Sequence, residues 1–166
     1  MAGLPPITVR SPEPYDLVGD EVPVCGLGAA FEGVFGTAIL RDGNGTLLAQ
    51  VSLTGGGNGF SLFHAVLNVG GASATAEGTL AVTADNPSGD PSRDFTVVVP
   101  ITFGRALIDP YSGFLEYTVL SGDTLSGIAQ HFYADGNLWP RLFTANRDRI
   151  GNPNLIWPGQ VFRIPE

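Results

Sequence analysis

The sequence predicts two domains, an all-β sandwich followed by a small α+β module of βααβ order. Three observations carry this. From about residue 6 to residue 104, apolar residues alternate with period two between closely spaced turn signals. From Asp123 the period becomes helical, and over residues 161–164 it returns to a strand. The charge balance shifts between the two halves, with three Arg against ten acids up to residue 104 and five Arg against six acids beyond it.

The first half opens on a short strand at residues 7–9 and the polar turn Ser11-Pro12-Glu13-Pro14. Pro23 places the next apolar run, residues 22–27, at a sheet edge or a strand start, because proline has no amide for the ladder. Residues 34–41 and 46–53 flank Asp42-Gly43-Asn44-Gly45, a hairpin signal, since Gly and Asn accept the positive φ such turns demand. In the second of these strands Leu47, Ala49, Val51 and Leu53 share a face, and Leu48 breaks the pattern. Gly55-Gly56-Gly57-Asn58-Gly59 reads as a flexible loop leading into a strand at 60–67. Leu80, Val82 and Ala84 alternate with polar or small residues, residues 85–92 form an exposed connection, and Phe95, Val97, Val99 and Ile101 give the cleanest period-two face. Seven short strands at this spacing predict an immunoglobulin-like sandwich over residues 1–104. Residues 105–115 then read as a linker whose bulky apolar residues pack on a neighbour.

In the closing module, residues 116–166, Leu125, Ile128, Ala129 and Phe132 recur at helical spacing behind Asp123 or Thr124 as N-cap. Asp135-Gly136 ends that helix. Trp139, Leu142, Phe143 and Asn146 repeat the spacing, with Pro140 in the first turn, where a missing amide costs nothing. Pro158-Gly159 makes a turn into the last strand. Periodicity puts Trp139 in the core. Trp157 lies within a loop, where both core packing and stacking on a ligand are compatible with its position.

Composition excludes several classes of function. The net charge is −8, all eight basic residues are Arg, and no basic run occurs, which argues against nucleic acid and anionic membrane surfaces as partners. No apolar stretch reaches the length of a membrane span. Met1-Ala2-Gly3-Leu4-Pro5-Pro6 shows neither a basic nor an apolar leader region, so the expected location is cytoplasmic as written, or the cell envelope if a leader precedes it. Cys25 is single and expected in the core, and His64 and His131 are expected at the surface. The two His lack metal-ligand spacing, Asp85, Asp90 and Asp94 read as a solvated loop, and Gly55-Gly56-Gly57 lacks the Lys of a phosphate loop. No catalytic, metal or cofactor site is therefore expected, and the chain is not expected to be an enzyme.

Two resemblances extend this reading. Ile7-Thr8-Val9 with Ser11-Pro12, Val22-Pro23-Val24-x-Gly26, Phe31-Glu32-Gly33 and the Asp42-Gly43 hairpin resemble the Gmad2 domain, an immunoglobulin-like bacterial module without known catalytic residues. Tyr117-Thr118-Val119, Gly122-Asp123-Thr124-Leu125, Ile128-Ala129, Ala145-Asn146, Ile156-x-Pro158-Gly159-Gln160 and Ile164-Pro165, all in order, resemble a LysM module. That likeness implies non-catalytic recognition of N-acetylglucosamine-containing glycan, as in peptidoglycan, in a shallow groove between two loops. Carried onto this chain, the first loop is Gly122, Asp123, Thr124 and Leu125, and the second is Asn154, Leu155, Ile156 and Trp157, shaped by Pro158 and Gly159. The sandwich would supply a protein partner surface. The long aromatic stretch at residues 132–143 is similar to single terminal LysM modules of cytoplasmic and phage-tail-like proteins, including a potassium-binding one. This implies two alternatives, an intracellular structural or adaptor role in a tail-like injection apparatus, or potassium binding without glycan.

Overall fold

Strand assignment follows the period-two pattern closely in the computed structural model, which describes residues 5–55, 59–69 and 73–166. Strands β1 (Ile7–Ser11), β2 (Leu17–Val18), β3 (Glu21–Ala30), β4 (Val34–Asp42), β5 (Leu47–Thr54), β6 (Gly59–Asn68), β7 (Glu77–Ala84) and β8 (Thr96–Phe103) make two facing sheets. One has the order β1-β3-β6 and the other β2-β8-β7-β4-β5. Alternation along β3 turns Val22, Val24, Gly26, Gly28 and Ala30 inward. The inner face thus loses bulk toward the middle of the strand, and the Phe35–Phe63 ring pair, with centroids 5.6 Å apart, takes that space. A Cβ on Gly26 would stand 2.6 Å from Phe63, and one on Gly28 3.0 Å from Phe35. Leu40, Leu53, Leu80 and Val82 close the core from the other sheet with no exposed surface.

The structure departs from the sequence reading at several points. β2 adds an eighth strand, two residues long and parallel to β8, too short to leave a periodic signature. Pro23 lies in the central strand of its sheet, beyond the end of β1, whose last partner is Cys25, so one side of the strand is open there. Cys25 falls on the outer face of β3 and is half-buried, not in the core, because the inward phase belongs to Val24 and Gly26. At the β4–β5 hairpin Gly45 takes the positive φ (83°), whereas Asn44 does not. The turn is held instead by the buried Asp42, whose Oδ1 accepts from the amides of Asn44 at 3.0 Å and Thr46 at 2.8 Å. Leu48 is the extra residue of a bulge, since Leu40 pairs with Ala49 and Arg41 with Leu47. The bulge turns Leu48 toward the core and leaves Leu47 half-exposed. Residues 56–58 of the glycine-rich loop and residues 1–4 of the N-terminal stretch, read from sequence as showing no leader features, lie outside the described residues.

Past β8, the join is pinned to the sandwich. Arg105 bonds Asp20 at 3.0 Å and Asp109 at 3.2 Å, Leu107 is buried, and the Tyr111 ring covers Gly104, where a Cβ would meet it at 2.5 Å. Strand β9 (Phe114–Thr118) takes in Phe114 and Leu115, assigned to the linker from sequence, and pairs antiparallel with β10 (Val161–Pro165). Helices α1 (Leu125–Tyr133) and α2 (Trp139–Ala145) pack on this ribbon around Val119, Leu125, Ile128, Ala129, Leu142, Ile150, Phe162 and Ile164. Thr124 is the N-cap of α1, and Ala134 closes that helix in the left-handed region at φ 57°. The two cores share no residue. Between them Arg163, nearly buried, pairs with Asp148 at 2.9 Å and reaches Asp16 of the sandwich at 3.7 Å, while Arg147 pairs with Glu77.

Candidate functional site

Two turns bring the candidate loops together. Gly122, at φ 92°, lets the chain reverse after β9, and Gly159, at φ 91°, does the same before β10. The amide of Gly159 then donates to Val119 O at 2.9 Å, and that of Val119 to Gln160 O at 2.8 Å, so the loops leave a common ribbon end.

Each loop is stiffened by its own side chains. Asp123 Oδ2 accepts from the Leu120 amide at 2.7 Å and from the Tyr117 hydroxyl at 2.8 Å. That hydrogen bond, with burial second, pushes the Tyr117 phenol above its ordinary pKa. Thr124 Oγ1 accepts from the Gly127 amide at 3.0 Å. In the second loop Asn152 Oδ1 accepts from the Asn154 amide at 2.9 Å, and Gln160 Oε1 from the Trp157 amide at 2.8 Å.

Between the loops lies a groove of about 380 Å³. Asp123, Thr124, Leu125 and Ser126 form one bank. Pro153, Asn154 and Ile156 form the other, and Trp139 of α2 closes the end. The groove therefore gathers Asp123, Thr124, Leu125, Asn154 and Ile156 from the expected set. Gly122, Leu155 and Trp157 stay outside its lining, with Leu155 and Trp157 turned to solvent. Leu125 presents little surface, since it is 3% exposed and belongs to the module's core. Ile156, half-buried at the core's margin, is the better apolar contact.

Ser126, Trp139 and Pro153 are the lining residues that sequence reasoning missed. Trp139 was placed in the core by its helical spacing, yet it is 36% exposed. It is the first residue of α2, directly behind the short 3-10 turn Gly136–Leu138, and borders the groove, so its position at the helix start is the available signal. Among the described residues no Arg, Lys or His borders the groove, and its one carboxylate already serves two donors. Such a surface suits an uncharged ligand with hydrogen-bonding groups and apolar faces.

The other candidate positions turn inward on their own loops. Asp90 Oδ1 accepts from the Ser92 hydroxyl at 2.8 Å and the Ser92 amide at 3.0 Å, which holds its carboxyl below the usual range. Asp94 Oδ1 accepts from Asn86 at 2.7 Å. His64 and His131 are exposed, His131 edge-on to Phe132.

Comparison with known proteins agrees with this anatomy. Residues 6–90 match Gmad2, the immunoglobulin-like domain of bacterial spore germination, and residues 117–165 match the LysM domain. Strand β8, beyond the first match, completes the five-stranded sheet. The chain is 39% identical over 98 residues to the potassium binding protein Kbp of Escherichia coli, covering 55% of this chain and 66% of that one. It is 46% identical over 57 residues to an uncharacterized protein of Deinococcus radiodurans, covering 34% and 22% of the two. It is 42% identical over 64 residues to a Mycobacterium tuberculosis protein named as an esterase, covering 39% and 13%. The chain thus spans less than two thirds of each of these relatives. With its sandwich matched over half the sequence and its groove-bearing module matched behind it, the chain belongs to the Gmad2 family and carries a C-terminal LysM domain.

Proposed function

We propose that this is a non-catalytic binding protein whose LysM domain holds an N-acetylglucosamine-containing glycan, peptidoglycan above all, in the groove between its two loops. The observation that carries this is the groove itself, where apolar Ile156 and Trp139 stand beside the polar Thr124, Ser126 and Asn154. An acetamido sugar needs both kinds of contact, a polar edge for its amide and hydroxyls and an apolar surface for its methyl and ring face. Full-length protein incubated with insoluble cell wall sediments with it under this reading. Ile156→Ser, which leaves the buried core residues in place, lowers the retained fraction by roughly tenfold, the worth of one apolar contact residue. Equal retention of both proteins, or none of either at high wall loading, overturns it.

A second reading has one observation in its favour, the 39% identity over 98 residues to a relative named for potassium binding. Under it, potassium raises the melting temperature and sodium at equal ionic strength does not.

A further inference from the structure

A second hollow of about 560 Å³ lies between the sandwich and the LysM domain. Tyr15, Glu77 and Ile101 line it from the sandwich, and Phe143, Arg147 and Ile150 line it from the LysM side. It shares a partition with the groove. Trp139 borders the groove, and Phe143, one turn further along α2, borders the hollow, their ring centroids 6.5 Å apart. The following loop repeats this arrangement, with Ile150 and Gly151 facing the hollow and Pro153 and Asn154 facing the groove. A polymer seated in the groove therefore has the hollow directly beside it.

The two cavities differ in chemistry. The groove has no cation, whereas the hollow carries the Arg147 guanidinium paired with Glu77. Both side chains keep much of their surface, 41% and 62%. Ion pairs this open contribute little to stability, so a ligand's charges can replace either partner at small cost. Tyr15 adds a second sign of a built site. Its backbone stands in the left-handed region at φ 66°, pinned by its amide to Pro100 O at 2.6 Å. That conformation is unfavourable for a bulky side chain and is found preferentially at ligand sites.

We infer that the cleft between the two domains binds a short carboxylate-bearing peptide attached to the sugar strand in the groove. Arg147 pairs with the carboxylate, and the half-buried Phe143 receives the peptide's apolar groups, while Ile150, 2% exposed and part of the LysM core, only backs the wall of the cleft. The inference rests on the glycan reading above and narrows it, because peptidoglycan carries acidic peptides on its sugars and chitin does not.

Titration calorimetry on the full chain with two soluble probes tests it. One probe is the disaccharide–tetrapeptide fragment of peptidoglycan, and the other is the N-acetylglucosamine dimer. The fragment is expected to bind roughly tenfold tighter, the worth of one hydrogen bond to a charged group. Arg147→Gln loses that preference and keeps its affinity for the dimer. Glu77→Gln keeps or enlarges the preference, because it removes the carboxylate that competes for Arg147. A purely structural ion pair would lose stability in both variants and shift neither ratio. Equal affinity for the two probes, or a preference that survives Arg147→Gln or falls in Glu77→Gln, overturns the cleft proposal and leaves the groove reading intact. Failure of both probes to bind overturns the two together.

Discussion

Asn146 is a polar side chain with no exposed surface, and its amide joins helix α2 to strand β10. Its Nδ2 donates to Leu142 O at 2.8 Å and Arg163 O at 2.7 Å, and its Oδ1 accepts from the Arg163 amide at 2.6 Å. Asn146→Ala orphans three buried backbone groups, so denaturant unfolding of the LysM domain is expected to lose about 3 kcal/mol. A loss under about 1 kcal/mol would show that water replaces the amide there. Tyr133 acts in a similar way through its hydroxyl, which donates to Pro165 O at 3.0 Å. Burial pushes its pKa up to about 12. A phenol with a raised folded pKa stabilises the fold fully below the unfolded value of about 10 and loses that contribution as pH rises through the folded value. Melting temperature should therefore fall between about pH 10 and pH 12, and fall less steeply in Tyr133→Phe. These residue roles were only partly legible. Asn146 reads from sequence as one more position on a helical stripe, and nothing in that spacing foretells a partner 17 residues away.

At the scale of elements, periodicity was a reliable guide wherever burial alternates cleanly and a poor one where the chain departs from regular geometry. The inner face of β7, that of β8 from Val97 to Ile101 and the stripe of α1 follow their patterns because each packs on a single core. Phe95, grouped with the β8 face from sequence, precedes the strand and is exposed. Leu48 broke its pattern because a bulge resets the phase, and a bulge has no composition of its own. Trp139 was misplaced because helical spacing predicts burial only where a neighbour covers the stripe, and the first turn of α2 borders an open groove. The groove's loops were legible through Gly122, Thr124 and Gly159, residues whose turn and cap chemistry is local. Which side chains face inward from those loops depends on how α2 approaches them, and that is tertiary information. Five of the eight expected lining residues are in place and three are not.

For the whole molecule, two cores without a shared residue predict two unfolding transitions. Among the described residues, the ion pairs between them are the open Arg147–Glu77 pair and the Arg163–Asp16 approach at 3.7 Å. The Arg147–Glu77 pair is open on both sides and contributes at most about 1 kcal/mol, and the Arg163–Asp16 approach is long and ends on a solvent-facing carboxylate, too little to fuse two domains into one cooperative unit. Gly36→Ala moves one transition without the other. Gly36 stands at φ 146° in a bulge of β4, and a Cβ there would lie 1.9 Å from Thr83 O, a clash that only backbone movement relieves. Scanning calorimetry should show the sandwich transition falling by several degrees while the LysM transition stays within about one degree, given the stability slopes of small domains. A single transition that moves as a whole would mean the domains fold as one.

The groove between the two LysM loops is proposed to hold an acetamido sugar, and an NMR titration of isotope-labelled protein with an N-acetylglucosamine oligomer tests this most directly. Saturable shifts are expected in the amides of Thr124, Ser126, Asn154 and Ile156 and in the indole of Trp139, with the sandwich amides unmoved. An unchanged spectrum at millimolar oligomer, or shifts confined to the sandwich, would contradict it.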